Sequence, residues 1–360
     1  MIALLSTTHG PGYGAEVVLA ELLRAWHDET LPIAVVAPRL SAAAAVASEA
    51  GIPCVPLRAS RDALLANVTA GNAACPQLRG CNLVHAWSAR GLELSGWIGR
   101  RLRVPATATL HDHPDSPVQT ALRRRLWRLT ANLQDAVAFP SAALERAWRA
   151  ASFTRSSRII PNGVSALPLL QRDPDAQDLV IGFLGMYAAW KGFEIARSWA
   201  RADWPTQVRW AFFGEPHEAL VRPAAQFASD LGRRVRFEGR QSRERIFGQV
   251  DIVVHCSTAF DPFPTVLLEA AQAGVPVVAS ALGGAGEIVE HGETGFLFDP
   301  AAPDVGLAYL RQLVADSGLR ARLGAAARQR HERCFRVERM VEGYVGFWKA
   351  ALDAAPSARR

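Results

Sequence analysis

The sequence predicts an α/β protein built from two doubly wound domains. Short apolar runs alternate with longer amphipathic stretches along the chain, and the scheme is played through twice within 360 residues. Such alternation builds a parallel sheet covered by helices on both faces. At about 150 residues per domain the length holds two. Composition agrees: 49% hydrophobic and 21% charged residues is a globular balance, which excludes disordered or low-complexity chain.

In the first half, IALLS from Ile2, IAVVAP from Ile33, NLVHAW from Asn82, ATATLHDH from Ala106 and DAVAFPS from Asp135 read as buried parallel strands. Amphipathic stretches such as AEVVLAELLRAWHDE, from Ala15, lie between them. The opening residues carry no basic n-region and read as a first strand, not a signal peptide. The second half repeats the scheme with LVIGFLG from Leu179, VRWAFFG from Val208, VRFEG from Val235, DIVVHCS from Asp251 and VPVVAS from Val275. PNGVSALPLLQRDPDAQD, from Pro161, is rich in Pro, Asp and Gln and reads as the linker. The final segment carries Phe335, Met340, Tyr344 and Trp348 at roughly helical spacing, so a last helix needs an apolar partner, expected on the first domain. The expected division is therefore 1–165, 166–334 and a C-terminal helix in 335–360. Two such domains place a cleft between the carboxyl ends of two sheets, where these folds bind ligands.

A net charge of +6 with a pI near 9.4 permits an anionic partner without demanding one. The basic residues are dispersed and form no aromatic–basic recognition module, so a nucleic-acid partner is not expected. Lysine occurs only at Lys191 and Lys349, and the rest of the 40 basic residues are arginine. With Ala, Gly and Pro also plentiful, this reads as coding bias, and it makes a lysine at a sensitive position harder to treat as filler. The 5 cysteines include no C-x-x-C pair, which argues against a disulfide framework or structural zinc and fits a reducing cytosol. No stretch reaches the ~20 apolar residues of a membrane span, so the expected location is cytoplasmic, or peripheral at the inner face of a membrane. One run, TALRRRLWRLTANL from Thr120, bears on the second option. Basic and aromatic residues on one helix bind anionic headgroups, and the competing reading is a solvated helix face.

The richest stretch runs from Asp251 to Pro300. A strand ends at Ser257, a loop carries Asp261, and Pro264 suits the first turn of a helix reaching Ala273. The free N–H groups of Thr265, Val266 and Leu267 would face the cleft as an anion site. Glu269, eight residues after Asp261, can accept hydrogen bonds from a vicinal diol such as ribose; taken alone, it is a helix-surface acid.

These residues resemble the retaining GT-B glycosyltransferases of family 4 (glycosyl transferases group 1). The hallmark there is an acid followed eight residues later by Glu, then LLEA-x3-G-x-PVVA, GG-x2-E-I-V and a T-G-x-L segment. This chain supplies Asp261, Glu269, LLEAAQAGVPVVAS, Gly283, Gly284, Glu287 and ETGFLFDP. The match is specific over roughly fifty residues and extends with lower specificity over nearly the whole chain. It implies the GT-B fold, two Rossmann-like domains facing an interdomain cleft, with the acceptor side in the first domain and the nucleotide-sugar donor in the second.

Further landmarks follow the resemblance. The N-terminal Gly-rich loop is HGPGYGAE, where Gly12 and Gly14 let the backbone approach the donor closely. The histidine implied beside the transferred sugar is His111. HDHPD also gathers His111, Asp112, His113 and Asp115, and strand alternation would put His111 and His113 on one face; with no distant third ligand indicated, metal is the minor reading. The PNG-V segment supplies Asn162. In place of G-R-L-x3-K-G the chain reads from Gly185 to Gly192 with Lys191 at the expected spacing and Met186 at the arginine position. In relatives that arginine and lysine together neutralise the donor diphosphate. Losing one cation costs roughly 1–2 kcal/mol of donor binding unless another replaces it, with Arg240 as a candidate. Asp261 stands where glutamate is common and reaches one methylene less far.

The resemblance implies transfer of a sugar from a nucleotide-diphosphate sugar to a glycan, lipid-linked or small-molecule acceptor with retention of configuration, in bacterial polysaccharide, glycolipid or glycoconjugate assembly. Lys191 and the amides beginning at Thr265 would stabilise charge on the leaving phosphate, with Asp261 and His111 as the other catalytic candidates. Protein groups then fill the role a divalent metal plays elsewhere, so neither metal nor cofactor is expected. Asp173 and Asp175, a D-x-D in the linker, read as turn chemistry. The alternatives are another GT-B nucleotide-sugar enzyme, a phosphorylase or epimerase, and a degenerate binder without turnover.

Overall fold

The computed structural model describes residues 1–8, 14–58, 69, 73–87, 89–116, 119–166, 168 and 178–355. It divides into two units: Met1–Gly163 with Val337–Arg360, and Val164–Arg336. The chain thus crosses between units twice.

The first unit holds a sheet in the order β3-β2-β1-β4-β5-β6-β7. Its strands are β1 (Ile2–Leu5), β2 (Ile33–Ala37), β3 (Cys54–Pro56), β4 (Leu83–Ala86), β5 (Ala106–Thr109), β6 (Ala136–Phe139) and β7 (Ser156–Ile159). The second has the order β10-β9-β8-β11-β12-β13, with β8 (Leu179–Leu184), β9 (Val208–Phe213), β10 (Val235–Gly239), β11 (Ile252–His255), β12 (Val277–Ser280) and β13 (Phe296–Phe298). Every strand pair in both sheets is parallel. Strand order reverses at β1/β4 in one sheet and at β8/β11 in the other, so each unit has its own topological switch point, where ligands bind in open α/β sheets.

The central strands are buried because both faces are covered, and most of their residues are apolar, with buried polar exceptions such as His85, Thr107, Thr109 and His255. β1, β2 and β4 are buried along their length. The edge strands β3 and β7 are largely exposed, and β13 has only three residues. None of the three carries the buried-run signal, and the sequence reading misses all of them.

Two other expectations need correction. Phe335 is not on the last helix. It follows the helix Ser317–Cys334, its carbonyl accepts from Val164 N–H at 3.1 Å, and its ring meets Phe263 at 5.9 Å, all within the second unit. The last helix runs Val337–Asp353, and its Met340, Val341, Tyr344, Phe347 and Trp348 are buried with Ile2, Leu4, Leu22 and Leu83 in the first unit's core. Nor does β5 extend through His111 and His113. After Leu110 N–H bonds Ala138 O at 3.0 Å, the chain turns: Asp115 N–H donates to His113 Nδ1 (3.1 Å) and Ser116 N–H to His113 O (3.0 Å). The proline and aspartates of HDHPD favour that turn over further strand.

Candidate active site

In the second unit the two switch-point strands each end in a loop that carries one member of an ion pair. After β8, the chain passes Gly185, Met186 and Tyr187 and enters a 3-10 turn, Ala189–Lys191. Tyr187 anchors this loop: its ring is buried, its hydroxyl donates to Phe212 O (2.8 Å), and it stacks on Phe193 with centroids 5.5 Å apart. After β11, the chain runs through Ser257 and Asp261 to the helix Thr265–Ala273. Thr258 ties the two loops together, its N–H donating to Trp190 O at 2.9 Å and its hydroxyl to Ala189 O at 3.2 Å.

Gly192 makes this approach possible. Its φ is +72°, and a Cβ there would lie 1.8 Å from Cys256 O. Only glycine has both the left-handed conformation and the missing side chain that this contact requires. Lys191 is thereby placed against the β11 loop, and its Nζ donates to Asp261 Oδ2 at 2.7 Å. The ammonium also sits 4.4 Å from the centroid of the half-exposed Trp190 ring.

The Asp261 backbone is fixed from the other side. Gly284 N–H donates to Asp261 O (2.9 Å), and a Cβ on Gly283, at φ +66°, would lie 2.0 Å from the same oxygen. The paired glycines of the sequence motif are therefore the surface on which the Asp261 loop rests. Burial pushes the Asp261 carboxyl upward, but the Lys191 charge and a hydrogen bond from His255 outweigh it, holding the group well below the usual carboxylate range. Asp261 is a buried carboxylate.

Pro264 occupies the N-cap of the helix, one residue before the expected first helical position, and supplies no side-chain cap. Leu267 N–H is taken by Pro264 O at 3.1 Å, so the anion-facing amides reduce to Thr265 and Val266, the helix's first two N–H groups. One turn on, Glu269 Oε1 lies 3.9 Å from Arg243 Nη1. Arg240, just past β10, is exposed with Nε 3.6 Å from Glu215 Oε1, and Glu215 O accepts from Tyr187 N–H at 3.0 Å.

The remaining candidates belong to the first unit. Gly14 opens the helix Gly14–Arg24, while Gly12 lies outside the described residues, as do Asp173 and Asp175. His111 follows β5, beside the buried Trp87 ring at 5.1 Å. Trp87 Nε1–H donates to Ala15 O at 2.8 Å, so one indole joins the His111 loop to the first turn after the Gly-rich segment. Burial lowers the His111 pKa to about 4, and its Nε2 is enclosed without a hydrogen-bond partner among the described residues. The ring is neutral near pH 7 and offers an open polar atom. Asn162 is buried near the end of the unit with Oδ1 likewise unpartnered among the described residues. Among the described residues no three His, Cys, Asp or Glu side chains gather as a metal site.

The structure thus brings together Lys191, Asp261, Thr265 and Val266, with Glu269 one turn away, and keeps Gly14, His111 and Asn162 in the other unit. Sequence reasoning missed three side chains at these places. Trp87 and His255 sit at or just past strand ends and belong to no motif, and Arg243 is one arginine among many.

Residues 12–166 match the family described as Glycosyltransferase Family 4, and residues 171–330 match Glycosyl transferases group 1. D-inositol 3-phosphate glycosyltransferase of Rhodococcus jostii (strain RHA1) is 31% identical over 189 residues, 49% of this chain and 41% of that protein. The lipopolysaccharide core biosynthesis glycosyltransferase LpsE of Rhizobium meliloti (strain 1021) is 29% identical over 198 residues, 54% of this chain and 55% of that protein. The chain therefore spans about half the length of these curated relatives. Among solved structures, Anabaena Alr3699/HepE in complex with UDP and glucose superposes with a TM-score of 0.85 at 24% identity, covering 97% of this chain and 99% of that one. Sucrose-phosphate synthase from Thermosynechococcus elongatus gives 0.78 at 21%, covering 98% and 99%. At these identities the structures share the fold.

Proposed function

Because the chain belongs to the GT-B glycosyltransferases, one family matching each half, we propose that it moves a sugar from a nucleotide-diphosphate sugar to an acceptor with retention of configuration. The observation that carries this reading is the Lys191–Asp261 pair, 2.7 Å apart at the carboxyl ends of β8 and β11 and four residues from the helix N-terminus at Thr265. Departure of a nucleoside diphosphate builds negative charge on its outer phosphate. A compact ammonium and two helix amides are fixed donors that stabilise such charge without reorganising. Asp261 holds Lys191 in place and offers its second oxygen to the sugar hydroxyls, while Glu269 is assigned to the ribose. His111, neutral at working pH, is assigned to a hydroxyl of the transferred sugar.

No divalent metal is needed in this scheme, since the chain's own groups carry the charge. HepE is crystallised with UDP and with UDP-glucose, which makes UDP-sugars the first donors to try. The name of LpsE, a lipopolysaccharide core biosynthesis glycosyltransferase, supports an acceptor in glycolipid or polysaccharide assembly, and action in the cytoplasm is part of the same proposal. Among the described residues no helix is long and apolar enough to cross a membrane. Contact with an anionic membrane is proposed through the helix Ala121–Ala131, where Leu122 is 79% and Leu129 60% exposed beside Arg125.

The deciding experiment is a thermal-shift and hydrolysis screen over UDP-, GDP- and ADP-sugars with and without EDTA. We expect one nucleotide class to raise the melting temperature and to be hydrolysed at a rate unaffected by EDTA. No stabilisation by any nucleotide would remove the transferase reading, and activity abolished by EDTA would remove the metal-free scheme.

A further inference from the structure

We propose that His255 is a positioning residue that fixes the rotation of the Asp261 carboxylate; this rests on the transferase reading of the site. His255 ends β11, buried, with its Cα partnered by the small Ala279 of β12. Its Nε2 lies 3.5 Å from Asp261 Oδ2 and 3.2 Å from the buried Ser257 Oγ. Nδ1 is enclosed and has no hydrogen-bond partner among the described residues.

That asymmetry selects a tautomer. A proton on Nδ1 would bury a donor with nothing to receive it and turn a bare Nε2 lone pair toward a carboxylate. A proton on Nε2 leaves only an unfilled acceptor and aims a donor at the negative charge, the cheaper choice on both counts. Oδ2 therefore receives the Lys191 ammonium at 2.7 Å and the His255 Nε2–H at 3.5 Å, a proton that Ser257 Oγ at 3.2 Å shares. The Asp261 backbone is already locked by Gly283 and Gly284, so the carboxylate's remaining freedom is rotation about its own bond. Two donors on one oxygen remove that freedom and leave Oδ1 as the acceptor presented to the donor sugar. Preorganisation of this kind acts on the chemical step more than on ground-state binding.

The first test needs no substrate. Long-range ¹H–¹⁵N spectra of the uncomplexed protein should show the His255 ring protonated at Nε2, with its resonances displaced in Asp261→Asn. A ring protonated at Nδ1, or one indifferent to Asp261→Asn, overturns the proposal. The second test uses UDP-glucose hydrolysis, or the donor that the nucleotide screen selects. His255→Leu should lower kcat about tenfold, the scale on which outer-shell partners act on the groups they orient, while affinity for the free nucleoside diphosphate stays put. His255→Gln, which can place an N–H where Nε2 stood, should recover most of the rate. His255→Leu should cost nothing further in an Asp261→Asn background. Wild-type turnover in His255→Leu, or an undiminished loss in that background, overturns it. If His255→Leu does not fold, His255→Gln against His255→Asn makes the same comparison, since Asn cannot reach as far. A protein that hydrolyses no nucleotide-sugar removes the transferase reading, and the tautomer spectrum still decides whether His255 contacts Asp261.

Discussion

Lys191 carries the strongest single-residue expectation. It is one of two lysines in the chain, and its neighbour Gly192 is held against Cys256 O so tightly that the loop has no other course. Lys191→Ala should lower turnover at least about tenfold by removing charge stabilisation at the leaving phosphate. Lys191→Arg should not restore it, because a planar guanidinium cannot occupy the space between Asp261 and the Trp190 face as a point charge does. Steady-state kinetics on the donor found by the screen check both, and wild-type turnover in Lys191→Ala would exclude the residue. His111 makes a separate prediction. Burial lowers its pKa from 6.5 to about 4, and burial together with the neighbouring His111 lowers His85 to about 3. The unfolded rings take up protons below about pH 6.5 while the folded rings stay neutral. This stability is thus fully present above that pH and is lost as pH falls toward 4. At about 1.4 kcal/mol for each pH unit between the unfolded and folded pKa values, His111 accounts for up to about 3 kcal/mol. His111→Asn should flatten the fall of Tm between about pH 7 and pH 4.5, and an unchanged slope would show that the ring titrates normally.

At the scale of elements, legibility in the sequence followed burial. The central strands are mostly apolar, buried runs and could be read directly, whereas β3 and β7 pair along one edge only and carry Cys54, Pro56, Ser156 and Ser157 instead. The candidate site was legible where a motif specifies a residue type, as at Lys191, Asp261 and Gly192, which the structure places together. It was not legible where geometry alone recruits a side chain: nothing in VVHCS marks His255 as facing a carboxylate six residues on. The helix Ala121–Ala131 shows the same limit. Its basic run could be read, but the sequence did not show that Trp127 is buried while Leu122, Arg125, Leu129 and the following Leu133 are exposed. Residues spaced three and four apart share a face, so this helix turns apolar and cationic groups to solvent together. Gly96 on the neighbouring helix Ala89–Leu102 lies against Leu133, next to the half-exposed Trp97, which extends the apolar surface. The protein should sediment with vesicles containing anionic lipid and stay in solution with zwitterionic ones. Leu122→Ser with Leu129→Ser should abolish sedimentation without changing hydrolysis of the donor. Retention of binding by that double variant would move the contact elsewhere or leave it purely electrostatic.

For the molecule as a whole, the chain's last segment is structurally part of its first unit. Trp348 is fully buried, stands 5.3 Å from Trp26, and donates from Nε1 to His85 Nδ1 at 3.1 Å. Tyr344 meets Thr109 Oγ1 at 3.0 Å through its hydroxyl. Trp348 is donor-only, so it fixes His85 with its proton on Nε2, directed to Thr109 Oγ1 at 3.0 Å. The final helix is therefore joined by polar contacts to the two strands, β4 and β5, that lead into Trp87 and His111. Removing this indole leaves a cavity in the core, so Trp348→Ala should cost about 3–5 kcal/mol. The cost should fall on one unit, because Trp348 contributes to the core formed by Ile2, Leu22 and Leu83 and not to those containing Phe212 or Leu267. Hydrogen exchange tests this directly. Strands β1, β2, β4 and β5 should lose protection in Trp348→Ala while β8, β9, β11 and β12 keep theirs. A uniform loss across both sheets would mean that the two units unfold as one cooperative body.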